Sequence, residues 1–404
     1  MAQPRILVVS PYYAPESTGC ASRVSDLAER WAAAGARVTV LAPHPSFPPG
    51  AFPRSWRLSG RRALNGVEVV NLAAWQPGRE AGFASRVAGY VSFPLHASLR
   101  LLVAGRRYDA VFVTMPPVFT AWAGLVMKRL HGKPLVLDVR DLWVDAAVDL
   151  GFVREDAVAT RATRRLEARA LAAADRVAVV TPRLGERLVE RHPDVAGKLL
   201  DAPNGVDTRR FTPGAPTGRR FVYAGLLGPA QDLDTMIEGF ARIADRYPDV
   251  RLDIAGEGEE RVRLEALAKA RGLAGRVRFH GLVPREGIPT LVASSVAALA
   301  PIRDRASLDY AIPTKAYEAM ACGVPFIGLG RGEIRRLAEE TRAGLVPDAD
   351  ADEVARAMAS LLDDENRRAE MGKRGRAWVE ERGDRSAVAA RLLAVMVDLA
   401  EGSA

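Results

Sequence analysis

The stretch Ile312-Pro313-Thr314-Lys315-Ala316-Tyr317-Glu318-Ala319-Met320-Ala321-Cys322-Gly323-Val324-Pro325 carries the densest chemistry in the chain. Pro313 and Thr314 suit the opening of a short helix, and Gly323 suits its end. Lys315 then falls in the first turn, where a cation works against the helix dipole by about 0.3–1 kcal/mol. A bound anion such as a diphosphate at that N-terminus would give the lysine a purpose. Glu318 shares its face of the helix, and a carboxylate there can accept both hydroxyls of a ribose. The plainer alternative is a Lys–Glu surface pair.

Two further constellations follow strand-like runs. Asp138-Val139-Arg140-Asp141-Leu142-Trp143 offers two carboxylates, a guanidinium and an indole. Arg140 could contact a phosphate and Trp143 could stack on a sugar, although a local Arg–Asp ion pair is the alternative. Near the N-terminus, Pro11-Tyr12-Tyr13-Ala14-Pro15-Glu16-Ser17-Thr18-Gly19 runs from a strand into a helix. It is not GxGxxG, so a dinucleotide fingerprint is missing where it would sit. Thr18 and the backbone near Gly19 could hold an anion or sugar hydroxyls; Ser17 or Thr18 acting as an ordinary helix cap is the alternative.

Short β-branched runs alternate with helical patterns and must position these residues. Strands are expected at Ile6–Ser10, Arg37–Ala42, Val67–Asn71, Ala110–Thr114, Pro134–Asp138 and Arg176–Thr181. A second series runs Phe221–Ala224, Arg251–Ala255, Arg276–His280, Val296–Ala300, Pro325–Leu329 and Gly344–Val346. Alternation of this kind means parallel sheets with right-handed crossovers. The Pro- and Gly-rich segment Ala202–Arg220 is the best linker. The expected organisation is an α/β N-terminal domain over 1–203, a second over 204–366, and a helical tail over 367–404 that packs back toward the first. Ligands of open α/β sheets bind outside the carboxyl ends of the strands, so two facing sheets would share a central cleft.

Composition narrows the classes. The 404 residues are 48% hydrophobic and 26% charged, which excludes a disordered or coiled-coil chain. Cys20 and Cys322 cannot build a disulfide scaffold, and five histidines leave little for a metal site. The 57 basic and 49 acidic residues give +8, carried almost wholly by Arg. No nucleic-acid motif accompanies that charge. The N-terminus reads as a strand rather than a signal peptide. The apolar stretch Phe83–Ala104 is interrupted by Arg86, Pro94, His96 and Arg100, and is not expected to span a bilayer. A cytoplasmic protein is expected, with peripheral contact at the inner face of the membrane left open.

Taken together, these motifs resemble the retaining glycosyltransferases of family 4, which have the GT-B fold of two facing Rossmann-like domains. The second half adds Asn204-Gly205-Val206-Asp207, a glycine loop at Gly225 and Ala255-Gly256-Glu257-Gly258. Tyr13-Ala14-Pro15-Glu16 with Thr18-Gly19, Pro116-Pro117, Asp138 to Trp143 and Pro313-Thr314-Lys315 resemble the branch of amino-sugar transferases that build O-antigen, colanic acid and related envelope glycans. The resemblance implies transfer of an N-acetylamino sugar from a UDP-sugar to an envelope-glycan, lipid-linked or small-molecule acceptor. Gly225, Gln231, Gly256, Gly258, Asp309, Thr314, Lys315 and Glu318 would bind the donor. Thr18, Gly19, Arg140 and Trp143 would face the acceptor, and neither metal nor other cofactor is implied. Helix N-termini and Lys315 would stabilise the leaving diphosphate. Asp141 and Glu16 are the candidate catalytic carboxylates, with His96 behind them.

The chain departs from the family pattern at two places. Where the first of two acidic residues eight apart should stand is Tyr310, with Asp309 beside it. The loop that usually carries Arg and Lys for the diphosphate reads Gly225-Leu226-Leu227-Gly228-Pro229-Ala230-Gln231, with Leu226 and Gln231 in their places. Lys315, with Arg303 in support, then has to supply the charge. Two DxD patterns, Asp232–Asp234 and Asp348–Asp352, are expected to cap helices. Residues 75 to 107 mix Trp75, Phe83, Tyr90, Phe93, Leu99, Leu101 and Leu102 with Arg79, Arg86, Arg100, Arg106 and Arg107. They read either as a basic amphipathic surface for anionic lipid and a polyprenyl-diphosphate acceptor, or as core helices with solvated Arg. A sugar-nucleotide epimerase of the same architecture and a natural-product glycosyltransferase are the alternatives; an epimerase needs no acceptor.

Overall fold

The computed structural model describes residues 3–402 apart from 17, 48–49, 79–81, 150 and 216, and not the side chain of Phe83. Ser17, Arg79 and the Phe83 side chain, named above, lie outside the described residues. The chain forms two compact units, Met1–Pro203 with Ser386–Ala404, and Asn204–Arg385.

The first unit holds β1 (Arg5–Val9), β2 (Arg37–Pro43), β3 (Ser59–Leu64), β4 (Val67–Leu72), β5 (Ala110–Met115), β6 (Leu135–Val139), β7 (Arg176–Val179) and β8 (Leu199–Asp201). They lie in the order β3-β4-β2-β1-β5-β6-β7-β8, and only β3 runs antiparallel. Its helices are α1 (Gly19–Ala33), α2 (Phe83–Ala104), α3 (Ala121–His131), α4 (Trp143–Asp149), α5 (Val158–Ala173) and α6 (Pro182–Arg191). Central strands such as Ile6-Leu7-Val8-Val9 are buried throughout, which parallel strands covered on both faces require. β3 escaped the sequence reading because Ser-Gly-Arg-Arg-Ala-Leu is polar; as an outermost strand it can leave alternate residues in water.

The second unit holds β9 (Arg220–Ala224), β10 (Arg251–Ala255), β11 (Val277–Gly281), β12 (Ala297–Ala300), β13 (Phe326–Gly328) and β14 (Gly344–Leu345). Their order is β11-β10-β9-β12-β13-β14, all parallel. The helices are α7 (Leu233–Ala244), α8 (Arg261–Ala270), α9 (Ile288–Ala293), α10 (Thr314–Ala321), α11 (Glu333–Thr341), α12 (Ala351–Asp363) and α13 (Glu365–Trp378). The last helix, α14 (Arg385–Glu401), returns to the first unit. Its Val388, Ala389, Leu392 and Met396 are buried with Trp31, whose Nε1 donates to the Ala389 carbonyl at 2.8 Å. The helical tail expected from residue 367 therefore divides: α13 packs on α10, α11 and α12, and only the part from Ser386 joins the first unit.

α10 lies against one face of the second sheet. Ala316, Tyr317, Ala319 and Met320 are buried with Val222, Ala298 and Ala300. That packing leaves Thr314, Lys315 and Glu318 half-buried, outside the apolar cluster.

Candidate functional site

Pro313 precedes α10 and makes no side-chain cap, and the Ala316 N–H donates to the Pro313 carbonyl at 3.0 Å. Lys315 reaches back from this first turn across the loop that follows β9. Its Nζ donates to Gln231 Oε1 at 3.3 Å and stands 4.9 Å from the centre of the Tyr223 ring. The Tyr223 hydroxyl donates to the Leu226 carbonyl at 2.6 Å and lies 3.3 Å from Gln231 Oε1, fixing the far side of the loop. Burial pulls the Lys315 amine down to about 8, with Glu318 opposing the shift. Burial pushes the Glu318 carboxyl up, against the pull of Lys315, Arg385, Arg210 and Arg285.

Glycine is required here by close approach. A Cβ on Gly225 would stand 2.5 Å from Lys315 Cε and 2.8 Å from Nζ. A Cβ on Gly256 would strike the Gly225 carbonyl, and one on Gly258 the Leu227 carbonyl. The loops after β9 and β10 are thereby sewn together: Gly225 N–H donates to Ala255 O at 2.8 Å and Leu227 N–H to Glu257 O at 2.9 Å.

Three arginines around Glu318 were not singled out in the sequence. Arg210 donates to the Arg285 carbonyl, and Arg385 Nε donates to Asn204 O at 3.0 Å. They come from distant points of the chain and carry no local motif, so nothing in the sequence marks them. Thr314 opens α10 beside Lys315. Asp309 lies before buried Tyr310, and its carbonyl accepts from Glu333 N–H at 2.8 Å.

In the first unit, Asp141 lies between β6 and α4, beside Arg140. Arg140 Nε donates to Thr114 Oγ1 at 3.1 Å and stands 3.7 Å from Asp138 Oδ2. Trp143 meets Tyr90 and Phe119 edge-on, at 5.6 and 5.8 Å between ring centres. Thr18 caps α1 by accepting from Ala21 N–H at 3.0 Å, and Gly19 is exposed.

Two family descriptions match the chain almost end to end: "Glycosyl transferase 4-like domain" over residues 18–205 and "Glycosyl transferases group 1" over residues 207–378. The chain is a family-4 glycosyltransferase. An Escherichia coli K12 protein named as a colanic acid biosynthesis glycosyl transferase, WcaI, is 26% identical over 79% of this chain and 81% of its own. A GDP-mannose-dependent monoacylated phosphatidylinositol monomannoside mannosyltransferase of Corynebacterium glutamicum is 33% identical over 44% of this chain and 50% of its own. Sucrose-phosphate synthase from Thermosynechococcus elongatus shares the fold at a TM-score of 0.77, with 21% identity over 98% of this chain and 99% of that one. Anabaena HepE in complex with UDP-glucose shares it at 0.69, with 17% identity over 98% and 99%.

For a glycosyltransferase of this family, several placements correct the sequence expectations. Glu16 was a candidate catalyst, but it braces loops: Oε1 accepts from the N–H groups of Ser46 and Phe47 at 2.9 Å each, and Oε2 from Tyr13 N–H at 3.3 Å. Arg303 was to help hold the donor, yet its guanidinium is held by Asp232 at 3.0 Å and Asp234 at 3.1 Å. Asp232 consequently makes no cap hydrogen bond to α7, whereas Asp350 caps α12 through Asp352 N–H and Glu353 N–H. His96 Nδ1 lies 3.2 Å from the Ala73 carbonyl, a contact that ties α2 to the chain after β4.

Proposed function

We propose that this glycosyltransferase moves an N-acetylamino sugar from a UDP-sugar to an envelope-glycan or lipid-linked acceptor, with retention at the anomeric carbon and without a metal ion. The observation that carries the donor reading is Lys315, laid across the glycine loop at a helix N-terminus that has no side-chain cap, one helical turn from Glu318. When the bond from sugar to diphosphate breaks, negative charge grows on the leaving phosphate. Lys315 and the first amides of α10 answer that charge with groups already in place. Glu318 takes the ribose hydroxyls, while Gly225, Gln231, Gly256, Gly258, Asp309 and Thr314 shape the surrounding wall. On the acceptor side Arg140, Trp143, Thr18 and Gly19 line the reading, with Asp141 as the proton acceptor. Metal independence is supported by Asp232 and Asp234 being committed to Arg303 and by Asp350 serving as a cap.

A guanine donor is the second reading, favoured by the GDP-mannose-dependent relatives. Thermal shift across UDP, UDP-sugars, GDP and GDP-mannose separates the two, because only a bound nucleotide raises the melting temperature. A UDP-sugar is expected to stabilise the protein with or without EDTA, and Lys315→Ala or Glu318→Ala is expected to remove most of that shift. If both variants respond as the wild type does, the donor site lies elsewhere. NMR of the product's anomeric proton tests retention.

A further inference from the structure

α4 opens on Trp143 and follows Asp141 almost directly, yet little apolar packing holds it. Between Arg140 and Asp149 the buried residues are Leu142 and Val144. Trp143 and Asp145 stand two positions apart, about 200° around a helix, so they face opposite ways. Trp143 turns to the rings of Tyr90 and Phe119, and Asp145 turns to α5 and α6. Its carboxylate receives a guanidinium from each of them, Arg164 Nη1 of α5 at 2.9 Å and Arg191 Nη1 at the end of α6 at 2.6 Å. The Asp145 side chain is 14% exposed, so these pairs are only partly screened by water.

A second carboxylate lies in the same cluster. Glu167 is buried on α5 one turn after Arg164, and Asp145, Arg164 and Arg191 all act on it. Burial pushes its carboxyl up to about 7; Asp145 adds to that shift, and the two arginines oppose it. Arg164 still has a donor to give. Its Nη1 serves Asp145 and its Nη2 serves Glu155 at 2.9 Å, while its Nε is buried without a hydrogen-bond partner. Arg187 stands one turn before Arg191 on α6. Lys128 of α3 and Lys198 also lie near α5, but Asp175 and the Ala172 carbonyl hold them at 2.7 and 2.8 Å.

We infer that Asp145 is a positioning residue for the acceptor side, fixing α4 from behind, and that the charge on Glu167 sets how firmly it holds. While Glu167 is neutral, both arginines answer Asp145. An ionised Glu167 repels the Asp145 carboxylate and draws on Arg164 through its spare donor. α4 is therefore clamped below neutral pH and loosened above it, and Trp143 and Asp141 with it. The linkage has the same sign: a carboxyl raised above its ordinary range makes the first unit more stable as the pH falls below about 7, and that increment is lost as the pH rises through it. The inference deepens the acceptor reading given above and rests on it for what α4 does in transfer; the clamp itself does not.

The test is fluorine NMR of the full chain labelled with fluorotryptophan, in which Trp143→Phe identifies one of six indole signals. The Trp143 signal should move in a single step as the pH is raised, with its midpoint near 7. Glu167→Gln, neutral throughout, should hold the signal at its low-pH position and should melt higher than wild type above neutrality. Asp145→Asn should displace the signal at every pH and abolish the step, and Asp145→Glu should restore part of it. If Asp145→Asn does not fold, Arg191→Gln, at a partly exposed position, takes its place. A signal that stays still through neutrality, or that titrates equally in Glu167→Gln, overturns the inference. So does an Asp145→Asn protein that melts lower with its signal unmoved, which makes Asp145 scaffold alone. None of these readouts needs an acceptor, so they stand apart from the acceptor reading. That reading is tested by transfer from UDP-N-acetylglucosamine to a lipid-diphosphate-linked sugar. Trp143→Ala should impair it, and Asp145→Asn should lower it by up to about 100-fold, the cost of a misplacement on the order of 1 Å, with UDP affinity unchanged. Unimpaired transfer by Trp143→Ala would place the acceptor elsewhere and overturn the role of Asp145 in transfer.

Discussion

Each unit brings a cation and a carboxylate together beside its sheet, Arg23 with Asp138 and Lys315 with Glu318, and the two pairs are treated oppositely. In the first unit, Arg23 and Asp138 are 1% and 0% exposed. Arg23 donates to both carboxylate oxygens, at 2.9 and 3.3 Å, and to the carbonyls of Ala202 and Pro203 at 2.9 and 2.7 Å. Thr114 Oγ1 adds a donor to Asp138 at 2.9 Å. In the second unit, Lys315 has one amide oxygen at 3.3 Å and the face of a ring, and it keeps some exposure. The lesson is that a saturated buried pair is scaffold, because its charges are already answered. A pair held in place but under-coordinated keeps electrostatic capacity for a ligand.

Four outcomes would break or sharpen this contrast. The largest is expected in the scaffold pair: Asp138→Ala leaves Arg23 buried without its partner and should destabilise the first unit by about 3–5 kcal/mol. An unaltered melting profile would end the distinction. Next, Lys315→Ala should weaken UDP binding by about 1.5–3 kcal/mol in calorimetry, the range for hydrogen bonds to charged groups. The ligand-free protein should melt no lower than wild type, because removing a partly desolvated amine removes its burial cost.

The third outcome concerns pH. With the Lys315 amine at about 8, the charged form dominates below that pH and is lost above it, so affinity for UDP should hold below pH 8 and decline as the pH rises through it. One pH unit above that midpoint the loss should be about tenfold, and Lys315→Arg, which stays charged, should flatten the profile. A decline of equal size in Lys315→Arg would assign the titration to another group. The smallest effect is expected at Gln231→Ala, which removes one hydrogen bond from Lys315 and should cost about 0.5–1.5 kcal/mol of UDP affinity. No change there would leave Tyr223 and the packed glycine loop as the supports of the amine.

Much of this was legible locally. The runs Arg251–Ala255 and Ala110–Thr114 read as strands because both faces are covered, so they stay apolar without alternation. The bounds of α10 followed from Pro313 before it and Gly323 after it, whose φ of 66° suits the residue past a helix end. β3 was missed because it is polar and β8 because it is only three residues long, and pairing with β4 and β7 creates them. α2 runs as one helix through Pro94, one of the residues named as interrupting the apolar stretch.

The sequence by itself determined the alternating α/β architecture, the family resemblance and the helix bearing Lys315 and Glu318, because periodicity, termini and short motifs are written within a few neighbouring residues. Only the tertiary structure decided what those charges meet. Gln231 and Tyr223 under Lys315, the three arginines about Glu318, the diversion of Arg303 to Asp232 and Asp234, and the pairing of Arg23 with Asp138 all join residues separated by tens to hundreds of positions. Such partners are selected by strand order and helix packing, which no local pattern encodes.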